Sequence, residues 1–318
     1  NVSVCSNAQE VFPIRVTPAV TLGALELRDD GRLRTYTIVS GICCYDGHQF
    51  PDDARGNMFI PESGGHLIGR LKLKEGIVPE ASRFYPPEQE FIASTDERFR
   101  PVNARVGPDG ALYVADMYHG IIEHVIFMVP WLTEQIKARG LDKGQDLGRL
   151  WRIVSTEKPL SREPVNLDAM KSDELVKLLD HPNGWHRITA QRLLIERGEY
   201  DAVRSFKPTT TLGKVHRLRT LDGFGPVNVN YLSDALQDSD ERVREAAVLV
   251  RETTGTLTDE VIKMRVNDPS ARVRLAATLC RHGGEKRSGL ANLNVAVSDE
   301  SATLVAALAR NVASWEYD

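Results

Sequence analysis

Along the first half of the chain, apolar residues come in short alternating runs separated by glycine turns, which is the pattern of β-hairpins. Ala24-Leu25-Glu26-Leu27 leads through Asp30-Gly31 into Leu33-Arg34-Thr35-Tyr36-Thr37-Ile38, and Asn57-Met58-Phe59-Ile60 leads through Ser63-Gly64-Gly65 into Leu67 to Leu73. A third pair surrounds Gly107-Pro108-Asp109-Gly110 in RFRPVNARVGPDGALYVADMY, residues Arg98 to Tyr118. There Pro108 presets the turn and Gly110 is free to take positive φ. Leu112 and Val114 alternate through a strand that ends in the polar run Asp116, Met117, Tyr118. A lone strand, Gly148 to Val154, follows. The turn glycines Gly31, Gly64 and Gly110 recur at intervals of about 30 to 45 residues, the spacing of β-propeller blades. Between the third hairpin and the lone strand, Ile121 to Arg139 is apolar all round; it reads as an insertion over one end of the sheets, with a short helix from Trp131 to Lys137.

After about Leu167 the period becomes helical. Ser172-Asp173-Glu174 caps a run of Leu175, Val176, Leu178 and Leu179. Asp238-Ser239-Asp240-Glu241-Arg242-Val243-Arg244-Glu245-Ala246-Ala247 is echoed 30 residues later by Asp268-Pro269-Ser270-Ala271-Arg272-Val273-Arg274-Leu275-Ala276-Ala277. Asp180 lies about two such periods upstream, and Asp299, before Ala302 to Ala309, about one period downstream. An acidic turn, then Val-Arg on a helix with Ala-Ala behind it, is the signature of HEAT-type repeats. The expected fold class is therefore β + α multidomain: incomplete β-propeller blades over residues 1–155, a linker with Pro159 and Pro164 over 156–166, and a HEAT-like α-helical solenoid over 167–318.

A net charge of only −4 supplies no basic field for nucleic acid. No run of about 20 apolar residues is present, so no transmembrane segment is expected. The first residue is Asn1, which suggests a processed protein or an excised fragment. Cysteine is confined to Cys5, the adjacent Cys43 and Cys44, and Cys280, with neither CxxC nor the CxxCH of haem attachment. Buried or free thiols are the main expectation, and a vicinal disulfide at Cys43 and Cys44 is the alternative.

The first half resembles the closing blades of the sorbosone and glucose dehydrogenase type of β-propeller, which uses pyrroloquinoline quinone (PQQ). The whole chain is similar to the middle of the large membrane-bound dehydrogenase family of planctomycetes and verrucomicrobia. The matching stretches are SGICCYDGHQFPDDARGNMFIPESGGHLIGRLKL, EFIASTDERFRPVNARVGPDGALYVADMYHGIIEH, GRLWRIV, and HPNGWHRITAQRLLIERG with RLRTLDGFG. The resemblance implies an extracytoplasmic protein, periplasmic or membrane-associated through another region, with PQQ and calcium as cofactors and a cytochrome as electron acceptor. It also implies that Arg98 and Arg100, as an Arg-x-Arg pair before the GPDG hairpin, bind the quinone carboxylates, for which guanidinium forks are suited. Where those enzymes place a lysine on the preceding hairpin, this chain reads Glu62-Ser63-Gly64-Gly65. Their catalytic histidine belongs to an earlier blade that is absent here.

Other polar residues define a second candidate cluster at the propeller mouth: Asp116, Tyr118, His119, Glu123 and His124, for a metal or a proton relay. Blade-edge hydrogen bonding is the competing role for them. His48 beside Asp46, Asp52 and Asp53 reads as a solvated turn, His66 has no partner spacing, and Trp185, His186 and Arg187 read as packing and capping of a repeat. About 155 residues supply roughly three blades, against about six in a closed propeller of this class. A longer polypeptide, a second chain that carries the missing blades, or an altered β-domain would each resolve the shortfall. Two functions stay open: part of a quinone-dependent sugar or alcohol dehydrogenase, inactive as this chain alone, or a non-catalytic protein-interaction module.

Overall fold

The computed structural model describes residues 10–15, 27–74, 79–122, 124, 126, 128–144, 146–161, 164–227, 229–253, 261, 263–264 and 267–279. The protein is β + α, with antiparallel sheets in the first of two units and helices in the second, divided after Glu163. In the first sheet β1 (Cys43–Cys44), β2 (Met58–Glu62), β3 (Leu67–Lys74) and β4 (Glu80–Arg83) lie in that order, and β5 (Ile92–Ala93) pairs with the opening residues of β3. The second sheet has the order β6 (Pro101–Val106), β7 (Leu112–Asp116) and β8 (Arg149–Ile153). Helix α1 (Pro130–Ala138) lies between β7 and β8 in the chain and begins with proline, whose fixed φ suits the first helical turn.

The turns explain the two well-formed hairpins. Between β2 and β3 the chain reverses through Ser63 to His66, and His66 itself adopts φ +56°. Between β6 and β7, Gly107 N donates to Ala111 O at 2.9 Å while Gly110 adopts φ +81°. A Cβ at Gly110 would also stand 2.6 Å from His48 Nδ1, so both conformation and space demand glycine there. Alternation along β7 turns Leu112, Val114 and Asp116 inward. Leu112 and Val114 meet Phe59 and Ile68 of the first sheet in a core completed by Tyr45 and Phe50. Each such side chain contributes about 2 kcal/mol by leaving water. Tyr45 ties this core to the hairpin, because its hydroxyl donates to Gly110 O at 2.6 Å and accepts from Phe50 N at 2.9 Å.

Among the described residues, the first expected hairpin shows isolated bridges in place of strands. Leu27 and Leu33 form an isolated bridge, Thr35 bridges Glu10 and Val39 bridges Glu62; Ala24 to Glu26 lie outside the described residues. The physical reason is the Glu62 carboxylate, which takes the N–H groups of Thr37 at 2.8 Å and Ile38 at 3.1 Å in place of a neighbouring strand. Cys43 and Cys44 are free thiols on opposite faces, one buried and one exposed, so there is no vicinal disulfide. Burial pushes the Cys43 thiol up to about 11. Cys5 and Cys280 lie outside the described residues.

In the second unit, a short helix α2 (Ser172–Leu175) is followed by α3 (Gly184–Glu196), α4 (Tyr200–Ser205), α5 (Thr211–Asp222), α6 (Val229–Leu236), α7 (Glu241–Thr253) and α8 (Ala271–Leu279). Helix α3 packs on α5, α5 on α7 and α7 on α8, around a core that includes Leu194, Leu221, Val243, Ala247 and Ala277. One polar device recurs. Arg187 Nη1 donates to the carbonyls of His181 and Pro182, Arg244 Nη1 to those of Asp238 and Ser239, and Arg274 Nη1 to those of Asp268 and Pro269. Each arginine thus bonds the carbonyls six and five residues before it. Between successive helices, Lys214 pairs with Asp238 at 2.7 Å and Arg244 with Asp268 at 2.9 Å. The echo at Asp299 and Ala302 to Ala309 lies outside the described residues.

Candidate functional site

Residue Asp116 closes β7, and the inward phase of that strand leaves its carboxylate only 2% exposed. Its Oδ1 accepts from Arg100 N and Tyr118 N, each at 2.8 Å, and its Oδ2 accepts from Trp151 Nε1 on β8 at 3.0 Å. The carboxylate therefore joins the start of β6, the end of β7 and the edge strand. Tyr118, at φ +46°, sends its hydroxyl to Asp96 Oδ2 at 2.8 Å. Burial opposes ionisation of Asp96, but bonds from Arg98 N and the Tyr118 hydroxyl hold its pKa below the ordinary value. On the other side of the Tyr118 ring, the Arg149 guanidinium stacks 3.4 Å from the centroid.

Arg100, the second arginine of the Arg-x-Arg pair, is 1% exposed. Its Nη1 donates to Ser63 O at 2.7 Å, its Nε to His119 O at 3.1 Å and its Nη2 to Gly120 O at 3.2 Å. The guanidinium thereby links the β2–β3 turn to the segment after β7. Arg98 is half-buried and donates to Gly140 O at 2.7 Å. The two arginines serve different neighbours. An incoming carboxylate would have to displace these buried carbonyls from Arg100.

The rest of the expected mouth cluster is only partly gathered. Asp116, Tyr118 and His119 meet around Arg100, though His119 contributes its carbonyl there, while its ring Nδ1 bonds Ile121 O. His124 is exposed, and its Nδ1 accepts from Ile126 N. Glu123 lies outside the described residues. Near His48, Lys158 Nζ reaches Asp52 and Phe50 O, both at 3.0 Å. Among the described residues, no group of three or more His, Cys, Asp or Glu is gathered for a metal ion, and no described helix is long and apolar enough to cross a membrane.

Two important groups carried no strong local signal. Glu62, fully buried, accepts from Thr37, Ile38 and Gly64 through backbone N–H groups; a carboxylate closing the apolar run Met58 to Ile60 is the one sequence cue to it. His66 is also buried, with Nδ1 3.1 Å from Phe99 O. Burial, reinforced by the Arg100 cation, pushes its pKa down to about 3. In the second unit, burial and then the Arg187 cation push His216 down to about 4. Both histidines are thus neutral when folded and free to protonate near 6.5 when unfolded. As pH falls below 6.5, the unfolded chain takes up protons that the folded chain refuses, and stability declines towards the folded pKa. Between pH 7 and pH 5 each histidine is expected to remove about 2 kcal/mol from its own unit. Urea titrations at the two pH values measure this, and unchanged slopes in His66→Asn and His216→Gln would refute the assignment.

Residues 1–157 match the model of a family described as a domain of unknown function, DUF7133. No curated protein and no solved structure matches the chain.

Proposed function

We propose that this chain is a non-catalytic protein-interaction module, in which dehydrogenase-type propeller blades and HEAT-type helical repeats serve as a scaffold. The carrying observation is the commitment of Arg100: its Nε, Nη1 and Nη2 each donate to a backbone carbonyl in a site closed to solvent. A guanidinium so placed acts as a clamp within the fold. The repeated arginine-to-turn bonds of α3, α7 and α8 support the HEAT-type reading, since each repeat holds its own turn by the same device. The resemblance to membrane-bound dehydrogenases suggests an extracytoplasmic setting, beside a polypeptide that carries further blades or a cytochrome.

Titrating PQQ with calcium while following quinone absorbance tests this reading. No saturable change is expected. A saturable change that disappears in Arg98→Ala, a variant that leaves the buried clamp intact, would restore the cofactor role.

A further inference from the structure

Strand β8 is the outermost strand of its sheet and, among the described residues, pairs with β7 alone. Its second row of backbone N–H and C=O groups therefore faces away from the sheet. Arg149, Leu150, Trp151 and Arg152 are all exposed, Leu150 by 70% and Trp151 by 42%, whereas Leu112 and Val114 on the adjacent β7 are fully buried. The register with β7 places Arg149 and Trp151 on the face of Asp116 and Val114, and Leu150 and Arg152 on the face of Ala115 and Tyr113. Each face of the edge thus offers one large apolar side chain and one guanidinium.

These side chains are held in position before any partner arrives. Trp151 is anchored by its bond to Asp116, and Arg149 lies 3.4 Å from the Tyr118 ring centre and 5.8 Å from that of Trp151. Arg152 meets Asp109 at 3.6 Å, yet its side chain stays 47% exposed. The strand itself carries two positive charges and no negative one.

We propose that β8 is a docking edge for an extended segment of a partner protein in which two adjacent apolar residues are flanked on each side by an acidic one, the order complementary to Arg149-Leu150-Trp151-Arg152. Main-chain bonds would extend the sheet by one strand, while alternate side chains read the apolar and cationic positions on its two faces. A second copy of this chain is disfavoured, because pairing β8 with itself brings two arginines from each copy to one seam.

The proposal extends the interaction-module reading, and the two fail separately: quinone binding would end that reading without occupying β8, whereas the edge is tested directly by peptide binding. The probe is a short fluorescein-labelled peptide with the core Glu-Val-Val-Glu, compared by anisotropy with a counterpart that has lysine for glutamate. Saturable binding of the acidic peptide is expected, with none by the basic one, and roughly tenfold weaker binding to Arg149→Gln/Arg152→Gln. Circular dichroism confirms that the variant is folded. Absence of binding, equal binding of both peptides, full affinity in the double variant, or concentration-dependent self-association lost in that variant would each overturn the proposal.

Discussion

Arg100→Ala is expected to destabilise the first unit by about 3 to 5 kcal/mol, the range for leaving buried groups without a charged partner. Truncation removes the donors to Ser63 O, His119 O and Gly120 O together and leaves space where a 1% exposed side chain had been. Arg100→Lys should rescue only part of the loss, since one ammonium on a flexible stem cannot span three carbonyls set by a planar fork. Urea denaturation gives the magnitude. Hydrogen exchange gives the location, with protection falling first at the β2–β3 turn and in the segment after β7. An arginine kept for an external ligand would behave differently, because surface substitutions away from such features usually fall within about 0.5 kcal/mol. Wild-type stability in Arg100→Ala would therefore remove the clamp and with it the main support for a non-catalytic module.

Gly213→Ala carries the second large effect, and its sign opposes helix propensity. In an exposed helix interior, alanine would stabilise by up to about 1 kcal/mol. Here a Cβ on Gly213 would lie 1.6 Å from Asp180 Oδ1. Asp180 is no passive neighbour: it accepts from Thr209 N at 2.7 Å, and from Thr210 N and Oγ1 at 3.1 and 2.7 Å. It thereby fixes the turn after the 3₁₀ segment Val176–Asp180 to the start of α5. Steric displacement of Asp180 combined with overpacking is expected to cost about 3 kcal/mol. Asp180→Asn should cost less, because it keeps one acceptor and adds no atom at the contact. A Gly213→Ala chain at least as stable as the parent in urea would refute the close packing of these helices.

The elements were legible where their causes are local. The hairpins of β2–β3 and β6–β7, the lone strand β8 and the short helix α1 all follow from alternation, a turn glycine or an N-terminal proline. The arginine-to-turn bonds of α7 and α8 are equally local, because each arginine reaches carbonyls only five and six residues away. Leu33 to Ile38 escaped this logic. Its sequence alternates as a strand does, but the carboxylate of Glu62, 24 and 25 residues further on, captures the N–H groups of Ile38 and Thr37 at its end.

The candidate site shows the same division. Sequence by itself placed Asp116 and Tyr118 at the polar end of a hairpin strand, and the family resemblance pointed to Arg98 and Arg100 just before that hairpin. It did not determine which groups of the protein they bond. Tertiary structure set those partners by bringing Ser63 and Gly120, 37 residues before and 20 after Arg100, within reach of the guanidinium, and Trp151 within reach of Asp116. The physical reason is that a charged side chain's role depends on which partners replace its lost water, and those partners are contributed by segments that only folding brings together.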